Sequence, residues 1–242
     1  MRVAVMQPYL FPYIGYFQLV DAVDTFVFFD DVNFITKGYI HRNAIGINGK
    51  ASMFTVPLAG ASQNLLINEV SIHEHEYAKW RHKFSKTLKQ QYGSAPFFKE
   101  IFGILNEVFD TPSDSIASLA EKSVRAVSER MKLTTKFTRS SHIDYYKTGT
   151  AQEKVLDICA FLKADTYINP VGGMELYENE VFQKKGIDLF FMEFNGITYP
   201  QKSDLFVSSL SIIDVLMYNE PERIADFLRE FELIKKTDNG QN

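Results

Sequence analysis

The chain has 242 residues, a formal net charge of −4, and 21 phenylalanines and 12 tyrosines among its 45% hydrophobic residues. This length and composition predict a sizeable hydrophobic core, and the mildly negative charge gives no reason to expect binding to nucleic acid or to a membrane surface. The single cysteine, Cys159, excludes an internal disulfide and a multi-cysteine metal site.

Targeting signals are not evident in the sequence. No apolar run approaches the roughly 20 residues that a membrane span needs, and the N-terminus lacks the pattern of a signal peptide. We therefore expect a cytoplasmic protein without a membrane span. The sequence leaves the cofactor and the oligomeric state open.

The N-terminal stretch, residues 1–43, predicts one βαβ unit. An apolar strand over 3–6 ends at Gln7, because the proline that follows cannot donate to a sheet ladder. A helix comes next, and the β-branched and aromatic run 25–29 predicts a second buried strand. Ligands gather at the carboxyl ends of such strands, which is where Gln7 and Asp30 fall.

The polar residues at these strand ends have two interpretations. Gln7, Asp30, Asp31 and Asn33 either face a ligand or form ordinary turns, because Asx turns and caps use the same residue types. The apolar residues of the same stretch are interpreted as core: Leu10, Phe11 and Phe17.

A β-hairpin is predicted next. The Asn48-Gly49 pair stands between alternating apolar residues and is typical of a two-residue turn that pairs 43–47 with 51–56. Arg42 precedes this hairpin. Its guanidinium can brace the Asp30-Asp31 pair, or it can hold a carboxylate or phosphate of a ligand at two points.

Three consecutive helices are predicted in the middle of the chain. They cover 77–92, then a stretch that starts at 94 with proline in its first turn and runs through Phe109, and 116–131. We interpret 76–132 as a helical insertion between α/β portions 1–75 and 133–235. The His-Glu-His-Glu run before the first helix is interpreted as a helix start, and no metal ligands are assigned.

The second α/β portion alternates strands with helices, which predicts a parallel sheet. The predicted elements are a strand over 136–143, a capping-box helix over 150–162, a strand over 165–168, a helix over 176–184, a strand over 188–194 and a final helix over 222–231. Ser211 and Asp214 are interpreted as residues that cap and stabilise this final helix, with a polar contact to substrate as the alternative. Residues 236–242 are interpreted as a disordered tail.

Glycines follow one of these strands directly. Asn169 is followed by the Gly172-Gly173 pair, and glycines between a strand and a helix let backbone amides approach an anionic ligand. The same pair is also compatible with an ordinary turn. Asn169 is therefore a further candidate for the strand-end site.

The opening motif resembles the WbqC-like family of bacteria. The resemblance rests on the aromatic, proline-punctuated segment 7–17, the Asp30-Asp31-Val32 element and the Arg42-Asn43 pair, where His41 departs from the family pattern. Stretches 167–177 and 199–219 also match, so the resemblance implies a single domain over 1–242. The family is associated with O-antigen and surface-polysaccharide gene clusters, and a glycine- or aminoacyl-transfer role has been suggested for it.

The resemblance and the strand-end positions together imply a transferase site. Asp30, Asp31 and Arg42 are the predicted catalytic residues. The predicted substrate-binding residues are Gln7, Tyr9, Tyr13, Gly15, Tyr16, Asn33, Asn43, Asn169, Gly172, Gly173 and Gln201. The partner is expected to be a small molecule: a sugar or an activated acyl or nucleotide donor.

A weaker similarity links the same segment to the nucleotide-binding start of cytidylyltransferases and class I aminoacyl-tRNA synthetases. It implies a Rossmann-like, nucleotidyltransferase-like parallel-sheet core with an inserted helical block. Those enzymes hold triphosphate with two histidines, whereas Tyr13 and Tyr16 stand at the corresponding positions and carry no positive charge. A nucleotidyltransferase relative and a non-catalytic ligand-binding protein therefore remain alternatives to the transferase.

Overall fold

The structure, a computed structural model, describes residues 1–203 and 205–236. Within these residues the strands are β1 (Arg2–Met6), β2 (Thr25–Phe28), β3 (Arg42–Ile47), β4 (Lys50–Thr55), β5 (Leu58–Ala59), β6 (Ser71–Ile72), β7 (Lys136–Arg139), β8 (Thr166–Pro170), β9 (Asp188–Phe194) and β10 (Phe231–Ile234). The α-helices are α1 (Ile14–Ala22), α2 (Glu74–Tyr92), α3 (Phe98–Asp110), α4 (Ile116–Arg130), α5 (Ala151–Leu162), α6 (Asn179–Lys184), α7 (Ile212–Tyr218) and α8 (Pro221–Phe227). Among the described residues, no helix has the length and apolar composition that crossing a bilayer requires.

The centre of the molecule is a six-stranded sheet with the order β10-β9-β8-β1-β2-β7. Its strands run parallel except β10, which pairs antiparallel with β9. The predicted α/β class is therefore confirmed. The opening βαβ unit is confirmed as well, because β1 and β2 are parallel neighbours in which Val3 lies opposite Thr25.

Helices cover both faces of this sheet. Successive strand residues point to opposite faces, so Val5 and Val27 pack with α5 and α6, whereas Ala4 and Phe26 pack with α1 and the remaining helices. Two buried clusters, one on each face, form the core. The central strands are continuous apolar runs in the sequence because both faces of the sheet are buried.

Local turn and cap signals act as predicted. Asn48 and Gly49 have φ of 50° and 71°, the left-handed conformation that a two-residue hairpin turn needs, and β3 pairs with β4. At α5, Thr150 and Glu153 form the predicted capping box. Both predictions are confirmed.

The middle of the chain forms three consecutive helices, and no strand interrupts residues 94–131, all of which are described. Helix α3 packs against both α2 and α4. The second helix begins at Phe98 rather than at residue 94, because the Ala95 N–H closes a turn onto the Tyr92 carbonyl and leaves Pro96 in the connection. The division into portions 1–75, 76–132 and 133–235 stays a prediction.

Several predicted bounds were wrong. The strand predicted over 136–143 ends at Arg139 and continues as a 3-10 turn, and the helix predicted from 176 begins at Asn179 after a 3-10 turn. The last helix ends at Phe227, and the chain then adds β10 to the edge of the sheet. The predicted disordered tail lies outside the described residues except for Lys236, which donates to two backbone carbonyls.

Candidate functional site

The loop between β1 and α1, residues 7–13, is held in a strained conformation at the carboxyl edge of the sheet. Phe11 is fully buried with φ of 40°, which is rare for a bulky residue. Its N–H donates to Ser123 Oγ at 2.9 Å, and its carbonyl accepts from Asn43 Nδ2 at 2.8 Å and Ser211 Oγ at 2.6 Å. Such strain persists where the surroundings fix it, and it clusters at ligand sites.

Beside this loop lies a cavity of about 290 Å³ that we name the aromatic cleft. It is lined by Tyr9, Pro12, Tyr13, Tyr39, Asn43 and Ser209. The Tyr9 and Tyr39 rings lie 6.0 Å apart between centroids, and none of the lining residues is charged. Burial raises the pKa of Tyr9, and it raises the pKa of Tyr13 to about 12, so both phenols are protonated donors near neutral pH.

Arg42 holds the segment that supplies Tyr39. Its guanidinium donates to the backbone carbonyls of Lys37 and Gly38, and the Tyr39 carbonyl accepts from the Leu10 N–H at 3.1 Å. The alternative in which Arg42 braces the Asp30-Asp31 pair is wrong, because its donors are directed to these carbonyls. Arg42 therefore positions one wall of the aromatic cleft.

Asp30 and Asp31 lie past the end of β2 and bind the segment that follows β7. Asp30 is 1% exposed, and its carboxylate accepts from the Ser140 hydroxyl and from the N–H and hydroxyl of Ser141. Asp31 accepts from the Tyr145 hydroxyl and shares the single hydroxyl proton of Ser140 with Asp30. Hydrogen-bond donors of the segment after β7 thus occupy the two carboxylates that were predicted from the sequence to be catalytic.

Asp31 also pairs with Lys147, whose Nζ lies 3.0 Å from Asp31 Oδ2. Burial opposes ionisation of Asp31, but the hydrogen bonds from Ser140, Tyr145 and Lys147 outweigh it and lower the pKa of this carboxyl. The ionised form is therefore more favourable in the folded than in the unfolded chain. Its contribution to stability is present above the unfolded pKa and is lost as the pH falls through the folded pKa.

We expect Asp31→Asn to have a lower free energy of unfolding than the wild type near pH 7. The two values should converge on acidification below about pH 4, the usual pKa range of an aspartate. Unfolding in urea at a series of pH values measures this difference. Lys147→Met, which removes the ion pair together with the contact of Lys147 with the Tyr145 ring, should reproduce part of it. A difference that stays constant from pH 7 to pH 3 would contradict the assignment.

The remaining polar candidates mostly serve the local structure. Asn169 is the penultimate residue of β8 and accepts from the Tyr167 hydroxyl at 3.0 Å, and a Cβ on Gly173 would lie 2.2 Å from its Nδ2. Gly172 faces open space instead. Asn33 is exposed and donates to the Gln63 carbonyl.

Two aromatic candidates differ in their accessibility. Tyr16 is buried and donates to the Gln7 carbonyl at 2.9 Å, which ties α1 to the end of β1. Tyr13 is half-buried and lines the aromatic cleft, and its ring covers Gly15, where a Cβ would lie 2.3 Å from Tyr13 Cε2. Gly15 therefore allows the position of the Tyr13 ring.

A buried aspartate, Asp214, anchors the loop that carries Ser209. It accepts from Tyr92 Oη at 2.6 Å, Tyr199 Oη at 2.9 Å and Gln201 Nε2 at 3.1 Å. Gln201 additionally donates to the Val207 carbonyl, so its role is to hold this loop. Ser211 caps α7, a helix that was not among the predicted elements, whereas Asp214 is a buried acceptor and not a cap.

The structure thus brings Tyr9, Tyr13 and Asn43 together, while Asp30, Asn169 and Arg42 face other partners. Sequence reasoning missed Tyr39 and Ser209, because neither belongs to a strand-end motif. The position of Asp214 within the apolar run 210–217 was a signal for a buried role. In the described part of the chain, no three acidic, histidine or cysteine side chains are grouped to hold a metal ion.

Comparisons with known proteins agree with the opening motif. The model of the family described as WbqC-like protein family matches residues 7–226. An uncharacterized protein of Mycobacterium tuberculosis, Rv1507c, is 25% identical over 233 residues, which cover 94% of this chain and 97% of that protein. No solved structure matches the chain significantly.

Proposed function

The chain belongs to the WbqC-like protein family, and from this membership together with the aromatic cleft we propose that it is a transferase acting on a sugar-type small molecule. The resemblance of the opening motif implies a place in bacterial O-antigen or surface-polysaccharide biosynthesis, with glycine or an aminoacyl group as the transferred unit. The observation that carries the proposal is the uncharged, tyrosine-lined cleft at the carboxyl edge of the parallel sheet.

The chemistry of the cleft favours a neutral ring with hydroxyl groups. Tyr9 and Tyr39 offer aromatic faces to the apolar face of such a ring, and protonated phenols and the Ser209 hydroxyl offer hydrogen bonds at its edge. A volume of about 290 Å³ is that of a small ligand site. These properties support a monosaccharide unit as the group recognised.

Asn43 lines the cleft, and its side-chain amide is mostly engaged by the backbone. Its Nδ2 donates to the carbonyls of Leu10 and Phe11, and its Oδ1 accepts from the Ala44 N–H. A catalytic role for Asp30 and Asp31 stays a prediction from sequence. Their contacts with Ser140 and neighbouring residues favour a structural contribution to the sheet edge.

The alternatives differ in their support. A nucleotidyltransferase needs cations for a triphosphate, and no lining residue of the aromatic cleft is charged. A non-catalytic sugar-binding protein of the same pathway is favoured by one observation. The lining residues of the cleft include no pair of a nucleophile and a base.

We expect Tyr39→Ala to weaken binding of a sugar ligand about fivefold, because an aromatic contact contributes roughly 1 kcal/mol beyond its buried area. The ligand is found by a thermal-shift screen over sugars, sugar nucleotides, amino acids and ATP, since a ligand of the native state raises the melting temperature. Affinity is then measured by calorimetric titration.

Tyr146→Ala is the matched control, since Tyr146 is 57% exposed and Tyr39 is 52% exposed, and Tyr146 lies outside the cleft. It should leave binding unchanged. If ATP and amino acids alone stabilise the protein, or if both tyrosine variants bind sugar like the wild type, the proposal is wrong.

A further inference from the structure

A second cavity of about 150 Å³, which we name the side cavity, adjoins the aromatic cleft. Tyr13 and Ser209 line both spaces, so a ligand in the cleft lies next to the side cavity. The other walls are mostly apolar and include Phe194, Ile197 and Phe206, and no lining residue is charged. A cavity of this size accommodates a group of about six non-hydrogen atoms, the size of benzene.

One buried polar group in this wall has an unused hydrogen-bonding capacity. Gln18 is 0% exposed, and its Nε2 donates to the carbonyls of Phe227 at 2.7 Å and Glu230 at 3.0 Å. These two acceptors fix which end of the amide carries the oxygen. Oε1 receives no hydrogen bond from any residue that the structure describes.

A buried acceptor without a donor is costly, because it has lost its hydration without a replacement. Ile14 and Gln18 are four residues apart on α1 and both line the side cavity, so this face of the helix is directed at it. The side cavity therefore has an apolar wall, and one of the residues that line it holds a buried acceptor without a donor.

We infer that the side cavity binds an acylamino group, such as acetamido, on the sugar-type ligand of the aromatic cleft. The N–H of this group donates to Gln18 Oε1, and its methyl packs against Phe194 and Ile197. An ammonium does not fit, because the lining offers no negative charge to pair with it. A hydroxyl leaves the apolar wall uncovered. The inference rests on the proposed function for the ring, but the group itself can be tested without a ring.

The experiment compares three probes by NMR. Methyl N-acetyl-glucosaminide carries ring and acylamino group, methyl glucoside carries the ring alone, and N-methylacetamide carries the amide alone. We expect N-methylacetamide at millimolar concentration to shift the side-chain amide signals of Gln18. The N-acetylated glycoside should bind about tenfold tighter than the glucoside, through one hydrogen bond and one buried methyl.

Two variants assign this preference to the side cavity. Gln18→Met removes the acceptor, and Ile197→Trp fills the space without changing Gln18, which keeps the test valid if the first variant does not fold. In each variant the N-acetylated glycoside should bind about as tightly as the glucoside, so that the tenfold preference is lost. Tyr39→Ala, by contrast, should weaken both glycosides and leave their ratio unchanged.

The outcomes separate this inference from the proposed function. If both glycosides bind equally well and N-methylacetamide shifts nothing, the side-cavity assignment is overturned and the sugar site stands. If N-methylacetamide shifts Gln18 but neither glycoside binds, the acylamino site stands and the sugar proposal falls. A preference that survives in both variants also overturns the assignment.

Discussion

Replacing Asp214 by alanine is expected to lower the free energy of unfolding by about 4 kcal/mol, because hydrogen bonds to charged groups contribute roughly 1.5–3 kcal/mol each. Asp214 is 2% exposed and accepts from Tyr92, Tyr199 and Gln201. Without this carboxylate, the hydroxyl of the fully buried Tyr92 has no acceptor, and no hydrogen bond offsets the free energy lost when it is removed from water. Urea unfolding at pH 7 measures the loss.

The network also joins parts of the chain that are far apart. Tyr92 at the end of α2, Gly46 in β3 and Tyr199 meet at this carboxylate or at the Tyr92 hydroxyl. Tyr199→Phe, which removes one donor and keeps the ring, should cost about 1–2 kcal/mol. Asp226→Ala, an exposed aspartate on α8, should cost about 0.5 kcal/mol or less. A comparably small loss for Asp214→Ala would show that the network contributes little.

Sequence signals correctly predicted those parts of the fold that depend on residues close together in the chain. The apolar runs of β1 and β2, the Asn48-Gly49 turn and the Thr150 capping box each depend on neighbours in sequence, and each is present. The two-residue strands β5 and β6 and the edge strand β10 depend on partners far along the chain. The predicted final helix over 222–231 therefore ran past Phe227 to the first residue of β10, and β10 itself was not predicted.

The candidate site was only partly predictable for the same reason. That polar residues stand at the carboxyl ends of β1, β2 and β8 was evident from the sequence, but the partners of those residues were not. The partner of Asp30 is Ser140, and the donor to the Phe11 carbonyl is Ser211, which are separated from them by 110 and 200 residues. Tyr39 enters the cleft because Arg42 binds backbone carbonyls, which no residue pattern indicates.

Arg42→Lys is expected to weaken binding in the aromatic cleft about tenfold or more while changing the free energy of unfolding by about 1 kcal/mol or less. Lysine keeps the charge but lacks the planar fork that holds the Lys37 and Gly38 carbonyls together. Segment 37–39 is largely exposed, so water replaces these bonds with little loss of stability. A ligand must then order the segment itself, at roughly 1–2 kcal/mol per residue, before Tyr39 can close the cleft.

Lys37→Ala is the control, because Arg42 uses only the carbonyl of that residue, so removing its exposed side chain leaves the contacts of Arg42 in place. Binding should remain at the wild-type level in this variant. Calorimetric titration with the ligand from the sugar screen, paired with urea unfolding, separates the two effects. If Arg42→Lys lowers the unfolding midpoint and leaves affinity intact, Arg42 stabilises the loop without positioning Tyr39 for a ligand.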